Sequence, residues 1–351
     1  MEMWQGVIRH YSDLLPFSGE ETIISLNEGN TPLIEAPRLA ETIAPNGGLK
    51  LFLKYEGLNP TGSFKDRGMT VAMTQAVKEG ARTVICASTG NTAASAAAYA
   101  ARAGLRCLVL VPEGKIAVGK LAASLAYGAE VIGIDGSFDD ALDMVRQIVE
   151  RYPIALVNSI NPWRLEGQKT GAFEICDQLG GHAPDWHCLP VGNAGNITSY
   201  WMGYKQYGKG FPRILGGQAS GSAPIVLGHI VENPETIATA IRIGNPARWH
   251  QALEALDESD GLITAVTDEK ILESWLLLAR EEGIFVEPAS ATGVAALKQQ
   301  IELGAINPQG KIAVCVLTGH GLKDPGTAIE MAATPVSLPG ELAALEAYLA
   351  D

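Results

Sequence analysis

Short apolar runs alternate along the chain with longer stretches of helical period. Runs of strand length cover Leu49–Tyr55, Thr83–Ala87, Cys107–Val111, Glu130–Ile134 and Ile154–Asn158, then Cys188–Val191, Arg213–Gly216, Ile263–Val266 and Ile312–Leu317. Helix-periodic segments, many rich in alanine, lie between them at Asp66–Glu79, Thr92–Arg102, Gly119–Tyr127, Phe138–Arg151 and Pro162–Leu179, and later at Ile197–Tyr207, Asp268–Glu282 and Ser290–Gly304. Strands alternating with helices in this way predict an α/β protein with mostly parallel sheets.

Strand starts near 83, 106, 130 and 154 are about 24 residues apart. That spacing predicts consecutive right-handed βαβ units forming one compact lobe. The regularity stops there, and no Ser/Gly linker follows. The expected architecture is therefore two lobes, each an open twisted sheet with helices on both faces. The early strands and the C-terminal half share the second lobe. Ligands of such sheets bind at the carboxyl ends of the strands, so those ends are where chemistry is expected.

At 351 residues the chain has room for about two domains. It is 47% hydrophobic and 19% charged, which excludes a disordered chain or a charged coiled coil. Its 26 basic and 39 acidic residues give a net charge of −13, which argues against a nucleic-acid partner. Five cysteines, at 86, 107, 176, 188 and 315, are odd in number and form no C-x-x-C. Reduced thiols of a cytoplasmic protein are expected. The start Met1-Glu2-Met3-Trp4 has no signal-peptide pattern, and the uncharged stretch Thr83–Ala101 carries Ser88 to Thr92 at its centre, too polar for a membrane span.

Five segments carry candidate chemistry. In Asn59-Pro60-Thr61-Gly62-Ser63-Phe64-Lys65-Asp66-Arg67-Gly68 a turn delivers Lys65 to a helix start. The positive end of the helix dipole and partial burial both lower a lysine pKa and favour the free amine that builds a Schiff base. On position alone, a surface lysine beside Asp66 is the more ordinary reading. Ala87-Ser88-Thr89-Gly90-Asn91-Thr92 ends a strand in small hydroxyl and amide residues before an Ala-rich helix. Its free backbone N–H groups suit a carboxylate or phosphate, unless Ser88 or Thr89 merely caps the helix. Gly192-Asn193-Ala194-Gly195-Asn196 follows a strand and precedes a helix; glycines three apart allow an anion-binding nest. It is not the dinucleotide fingerprint.

Val157-Asn158-Ser159-Ile160-Asn161-Pro162-Trp163-Arg164 places Arg164 just past a strand end. Arginine is shaped for bidentate phosphate contact, although pairing with Glu166 fits as well. Lys120 is a candidate second cation. Leu317-Thr318-Gly319-His320-Gly321 ends a buried-type strand in a hydroxyl able to meet a ring nitrogen without charge. Gly203–Gly210 nearly spells a P-loop but lacks the final hydroxyl and ends a helix, so a solvated loop is expected. The segment Gly217–Ser222 reads as loop. The tail Pro339–Asp351 reads as one amphipathic helix. No histidine spacing fits a metal site.

Taken in order, Ser63-Phe64-Lys65-Asp66, Ser88-Thr89-Gly90-Asn91, Gly192–Asn196 and Thr318-Gly319 resemble the fold-type II pyridoxal-phosphate enzymes, whose architecture is like that of the tryptophan synthase β chain. Within them the chain is similar to the threonine synthase family in its short form. Leu26-Asn27-Glu28-Gly29-Asn30-Thr31-Pro32-Leu33, Asn59–Gly68 and Val157–Lys169 belong to that likeness, which runs over about 20 to 335. The resemblance implies a large cofactor-binding domain of 1–58 and 157–351 and a small mobile βαβ domain of 59–156. It implies pyridoxal 5′-phosphate as cofactor, a homodimer, no metal, and Lys65 as the catalytic residue that holds the cofactor and then moves protons.

By the same resemblance Asn91 would bond the cofactor's phenolic oxygen, Gly192, Asn193, Ala194, Gly195 and Asn196 would cradle its phosphate, and Thr318 would face its pyridine nitrogen. Ser88, Thr89 and Thr92 would hold the substrate carboxylate; Asn158, Ser159, Arg164 and Lys120 would hold the substrate phosphate. The implied reaction converts O-phospho-L-homoserine and water to L-threonine and phosphate: protons leave Cα and Cβ, phosphate leaves Cγ, and water adds at Cβ. The alternative on the same scaffold is a threonine or serine ammonia-lyase, which needs Lys65 and Gly192–Asn196 but no phosphate-binding Arg164. An amino-acid or nucleotide sensor without turnover is the reading from a different class.

Overall fold

The computed structural model describes residues 3–113, 118–331 and 335–350. Ten strands run β1 Leu33–Glu35, β2 Lys50–Tyr55, β3 Thr83–Ala87, β4 Arg106–Pro112, β5 Glu130–Ile134, β6 Ile154–Leu156, β7 Trp186–Pro190, β8 Arg213–Ala219, β9 Leu262–Val266 and β10 Ile312–Leu317. The helices are α1 Val7–His10, α2 Pro37–Ile43, α3 Lys65–Lys78, α4 Asn91–Ala103, α5 Val118–Ala126, α6 Phe138–Arg151, α7 Pro162–Gln168 and α8 Thr170–Gln178, then α9 Gly195–Tyr207, α10 Pro224–Leu227, α11 Trp249–Glu258, α12 Asp268–Glu282, α13 Pro288–Glu302, α14 Pro325–Met331 and α15 Leu342–Ala350.

Two sheets organise them. The smaller has the order β5-β4-β3-β6, with every pair parallel. The larger has the order β1-β2-β10-β7-β8-β9, parallel except for antiparallel β1 at its edge. Each sheet is covered on both faces. In β10, Ala313, Cys315 and Leu317 point to one core with Val294 and Leu297 of α13, while Val314 and Val316 point to the other with Ile175 and Ile197. In the smaller sheet Val84 and Cys86 face α3 and α4, and Ile85 and Ala87 face Ala141 and Val145 of α6. Successive residues of a strand alternate sides, so double coverage requires the unbroken apolar runs seen in the sequence. Each fully buried aliphatic side chain contributes about 1.5–3 kcal/mol.

Local signals set several boundaries. Ser137 and Asp140 form a reciprocal capping box that starts α6. Thr267 caps α12, and Gly104 and Gly283 end α4 and α12 in the left-handed conformation.

Other expectations need correction. The stretch expected as one helix over Pro162–Leu179 is two helices meeting at Lys169. The strand expected to reach Asn158 ends at Leu156, although Val157 N–H still bonds Ile85 O. Gly217 to Ala219 belong to β8 rather than to a loop, and Ser222 lies buried, bonded to the Ile241 and Ile243 backbone. The tail helix α15 is not amphipathic: apolar residues occupy all its sides and none is buried. Among the described residues no helix is long and apolar enough to cross a membrane.

Candidate active site

All five candidate segments leave the carboxyl ends of strands: 59–68 after β2, 88–92 after β3, 158–164 after β6, 192–196 after β7 and 318–321 after β10. Two of them are joined directly. Phe64 N–H donates to Thr318 O (3.0 Å), His320 N–H donates to Gly62 O (2.9 Å), and Ser63 bridges to Gly319. The lysine turn is thereby pinned to the end of β10.

Lys65 is the first residue of α3. It is not a surface lysine. Burial, helped by the nearby charge of Arg164 and opposed by Glu287, brings its amine down to about 7. An amine near neutrality is free to react and to carry protons. The next two residues have other duties. Asp66 is fully buried and accepts from Thr61 N–H (2.7 Å), Thr61 Oγ1 (2.6 Å) and Ser95 Oγ (2.6 Å), which ties the turn to α4. Burial raises its carboxyl to about 6. Arg67, also buried, makes bidentate contacts to Glu56 and to Glu174, and Lys54 completes this balanced network by pairing with Glu174 at 2.8 Å.

At 88–92 no side chain caps α4. Ser88 Oγ instead accepts from Gly90 N–H at 3.2 Å. The capping alternative therefore fails. Ser88, Thr89, Asn91 and Thr92 are all partly accessible around the helix start. At 192–196 the left-handed residue is Ala194 (φ 61°), not either glycine, at a cost of about 1–2 kcal/mol. Gly195 opens α9 with no side-chain cap, and the buried Asn196 Nδ2 has no partner. An uncapped helix start with an orphaned donor is suited to an anion. Gly192 lies against Ile241, whose Cα would stand 3.0 Å from an added Cβ.

Arg164 does not pair with Glu166, which instead bonds Lys169. Its side chain is fully buried; Nη1 donates to Val157 O (2.9 Å), while Nε and Nη2 have no partner. Burial lowers its pKa to about 10. Asn158 grips Ala87 at both ends of its amide, accepting from N–H and donating to O, each at 2.9 Å. Ser159 Oγ accepts from Asn193 Nδ2 (3.3 Å), which links the 158–164 segment to the 192–196 segment. Lys120 lies in α5, but its side chain is outside the described residues.

Thr318 Oγ1 stands 2.9 Å from Ser290 Oγ and donates to Glu287 Oε1 at 3.3 Å. Glu287 and Ser290, both buried at the start of α13, escaped the sequence reading. The Glu287-Pro288 pair marks a helix start, but nothing in it points to a site. The His320 ring packs against Tyr55 and Phe285, and its Nδ1 accepts from Leu322 N–H at 3.2 Å. No cluster among the described residues could hold a metal.

Comparison with known proteins gives the family. The family described as "Pyridoxal-phosphate dependent enzyme" matches residues 24–319. A threonine synthase of Halalkalibacterium halodurans is 57% identical over 97% of this chain and 96% of that protein. One of Methanocaldococcus jannaschii is 52% identical over 99% of this chain and 87% of its own length. The solved structure of a fungal L-serine ammonia-lyase from Rhizomucor miehei superposes with a TM-score of 0.75 at 24% identity, covering 86% of this chain and 97% of that one. That likeness carries the fold, not the reaction. By both measures of sequence, the chain belongs to the pyridoxal-phosphate dependent enzyme family and, within it, to the threonine synthases.

Proposed function

We propose that this chain converts O-phospho-L-homoserine and water to L-threonine and phosphate, with roles divided among the residues above. The observation that carries the choice of substrate is Arg164, a buried guanidinium with two unpartnered nitrogens whose charge reaches Lys65. Burying an unpaired cation costs several kcal/mol, roughly, unless an anion meets it. A phosphorylated substrate supplies such an anion in addition to its carboxylate; threonine and serine, the substrates of the ammonia-lyase alternative, have only the carboxylate, which the start of α4 would hold.

The residues fit pyridoxal phosphate. The cofactor's aldehyde needs a neutral amine, and Lys65 has one near neutral pH. Its phosphate needs donors, and the uncapped start of α9 and the orphaned Asn196 Nδ2 provide them. Lys65, Asn91, Gly192 to Asn196 and Thr318 would hold it, and once bound it would supply the electron sink for deprotonation at Cα and Cβ. Lys65 would take the proton from Cα and return it, since an amine of pKa about 7 exchanges protons readily at neutral pH. Thr318, a neutral hydroxyl already linked to Ser290, would meet the ring nitrogen without adding charge. The open N–H groups at the start of α4, with Ser88, Thr89 and Thr92, would hold the substrate carboxylate. Arg164, with Ser159 and Lys120, would hold the substrate phosphate, and Asn158 would keep the Ala87–Ser88 turn in place for it.

Residues 59–156 would form a small domain that closes over the cleft against 1–58 and 157–351. The buried Arg67–Glu56–Glu174 network fastens α3 to the larger part, so the sheet of β3 to β6 with α4 to α6 is the portion that would swing. Burial of all five cysteines as free thiols supports a cytoplasmic, non-membrane enzyme. We assign it a homodimeric state and no nucleic-acid partner.

The deciding experiment quantifies threonine and phosphate from O-phospho-L-homoserine with the cofactor-loaded protein. Equal yields, abolished by Lys65→Ala and reduced at least about a hundredfold by Arg164→Ala with the cofactor spectrum retained, are expected. Phosphate accompanied by 2-oxobutyrate, or turnover of threonine or serine that survives Arg164→Ala, would overturn the assignment.

A further inference from the structure

Glu287 sits at the centre of the cofactor-site residues. Its carboxylate accepts from Asn91 Nδ2 at 2.9 Å and 3.2 Å and from Thr318 Oγ1 at 3.3 Å. Its own N–H donates to Gly319 O at 3.1 Å. It is only 4% exposed. The carboxylate is packed directly on Gly319: a Cβ added there would lie 2.5 Å from the carboxyl carbon and from Oε1. This close approach gives a physical reason for glycine after Thr318. Glu287 thus touches, through one side chain, the two residues read as meeting the cofactor's phenolic oxygen and its ring nitrogen.

A carboxylate only accepts hydrogen bonds, whereas an asparagine amide can turn either its oxygen or its NH₂ toward a neighbour. Glu287 removes that choice. It forces Nδ2 of Asn91 inward and occupies one of its hydrogens, leaving the other for a second acceptor. A phenolic oxygen is such an acceptor; with the amide turned the other way, Asn91 would offer it only another oxygen.

We infer that Glu287 is a positioning residue, fixing the Asn91 amide with its NH₂ turned toward the cofactor's phenolic oxygen and supplying the negative charge that Lys65 and the ring share. The inference rests on the reading of Asn91 as a cofactor ligand. The charged groups facing Glu287 are Lys65, Lys323 and Asp324, and burial together with Asp324 raises its pKa while Asn91 and the two lysines lower it.

The test uses the full-length protein reconstituted with pyridoxal phosphate and reads cofactor affinity and the pH titration of the bound cofactor's absorption, with thermal unfolding as the control for folding. Glu287→Gln removes the charge and restores the flip ambiguity. It is expected to weaken cofactor affinity about tenfold and to move the spectral titration down by about one pH unit, because a carboxylate stabilises the protonated nitrogen. Glu287→Asp keeps the charge but falls short of Asn91. It should lose affinity as the Gln variant does while titrating near the wild-type pH, and it stands in should Glu287→Gln fail to fold. Wild-type affinity and titration in both variants, with only the unfolding temperature changed, would overturn the inference. Asn91→Ala separates the two levels: if it leaves affinity and spectrum untouched, the reading of Asn91 as a cofactor ligand fails.

Discussion

The Arg164 side chain lies across the backbone of Gly68. A Cβ at Gly68 would stand 2.7 Å from Arg164 Nε, 2.6 Å from Arg164 O and 2.9 Å from Gln168 Nε2. The partner helix answers in kind, since a Cβ at Gly167 would stand 1.9 Å from Arg67 O. Helices α3 and α7 therefore meet at two glycines, and the guanidinium lies in the space they leave. Gly68 lies in the first turn of α3, three residues after Lys65; in space it sets the position of the proposed phosphate-binding arginine.

Gly68→Ala should therefore act on the substrate site rather than on the cofactor. Backbone of α7 cannot yield cheaply, and overpacking of this kind costs about 1–3 kcal/mol. The expected result is a rise of roughly tenfold in KM for O-phospho-L-homoserine with unchanged cofactor absorption. Steady-state kinetics beside a spectrum of the variant checks this, and an unchanged KM would show that Arg164 does not depend on the glycine.

Arg67 invites comparison with Arg164, because the two buried arginines are opposites. Arg67 has two carboxylates and Arg164 has none. Truncation of Arg67 leaves Glu56 and Glu174 buried with only Lys54 to balance them. Arg67→Ala should destabilise the protein by about 3–5 kcal/mol. Arg67→Lys should recover little of that, since an ammonium cannot fork to both carboxylates. Urea unfolding measures both; a loss below about 1 kcal/mol for Arg67→Ala would mean that water reaches the carboxylates.

Asn158 offers a contrast between holding a turn and holding a ligand. Its amide makes two 2.9 Å bonds to Ala87, worth about 1 kcal/mol each. Asn158→Ala should lower stability by about 2 kcal/mol and slow turnover through displacement of the 88–92 turn. Raised KM with unchanged urea stability would instead mark it as a direct substrate contact.

Much of this was legible in the chain for a plain reason. Strands covered on both faces, as Val314 to Leu317 are, leave uninterrupted apolar runs, and the site segments sit where those runs end. Shorter or less buried elements leave no such trace. Strand β1 has three residues, none fully buried, and α11 buries only Ala252, Ala255 and Leu256. Lys65 and Arg164 were legible as charged groups at strand ends, but that Arg164 would be buried without a counter-charge depends on α3 packing against α7. Glu287 was not legible at all, since its meaning comes from Asn91, 196 residues away. The nest at 192–196 was expected to turn on its glycines, yet Ala194 takes the left-handed conformation, so residue type there misled.

Lys65 makes stability depend on pH with a calculable sign. Its amine titrates near 7 in the folded, cofactor-free protein and near 10.5 when unfolded. Between those values the unfolded chain binds more protons than the folded one, so this group makes stability rise with pH. The slope is at most about 1.4 kcal/mol per pH unit. Asp66 works the other way in a different window. Its carboxyl is raised from 3.8 to about 6, so the folded state holds the extra proton there and stability falls as pH rises toward 6. Comparing wild-type with Lys65→Met cancels Asp66 and the other shared groups whose titration does not depend on Lys65. The difference in unfolding free energy between the two cofactor-free proteins should move in favour of the wild type as pH rises from 7 to 9. Parallel curves over that range would mean that the amine keeps an ordinary pKa and is not the ready base the site requires.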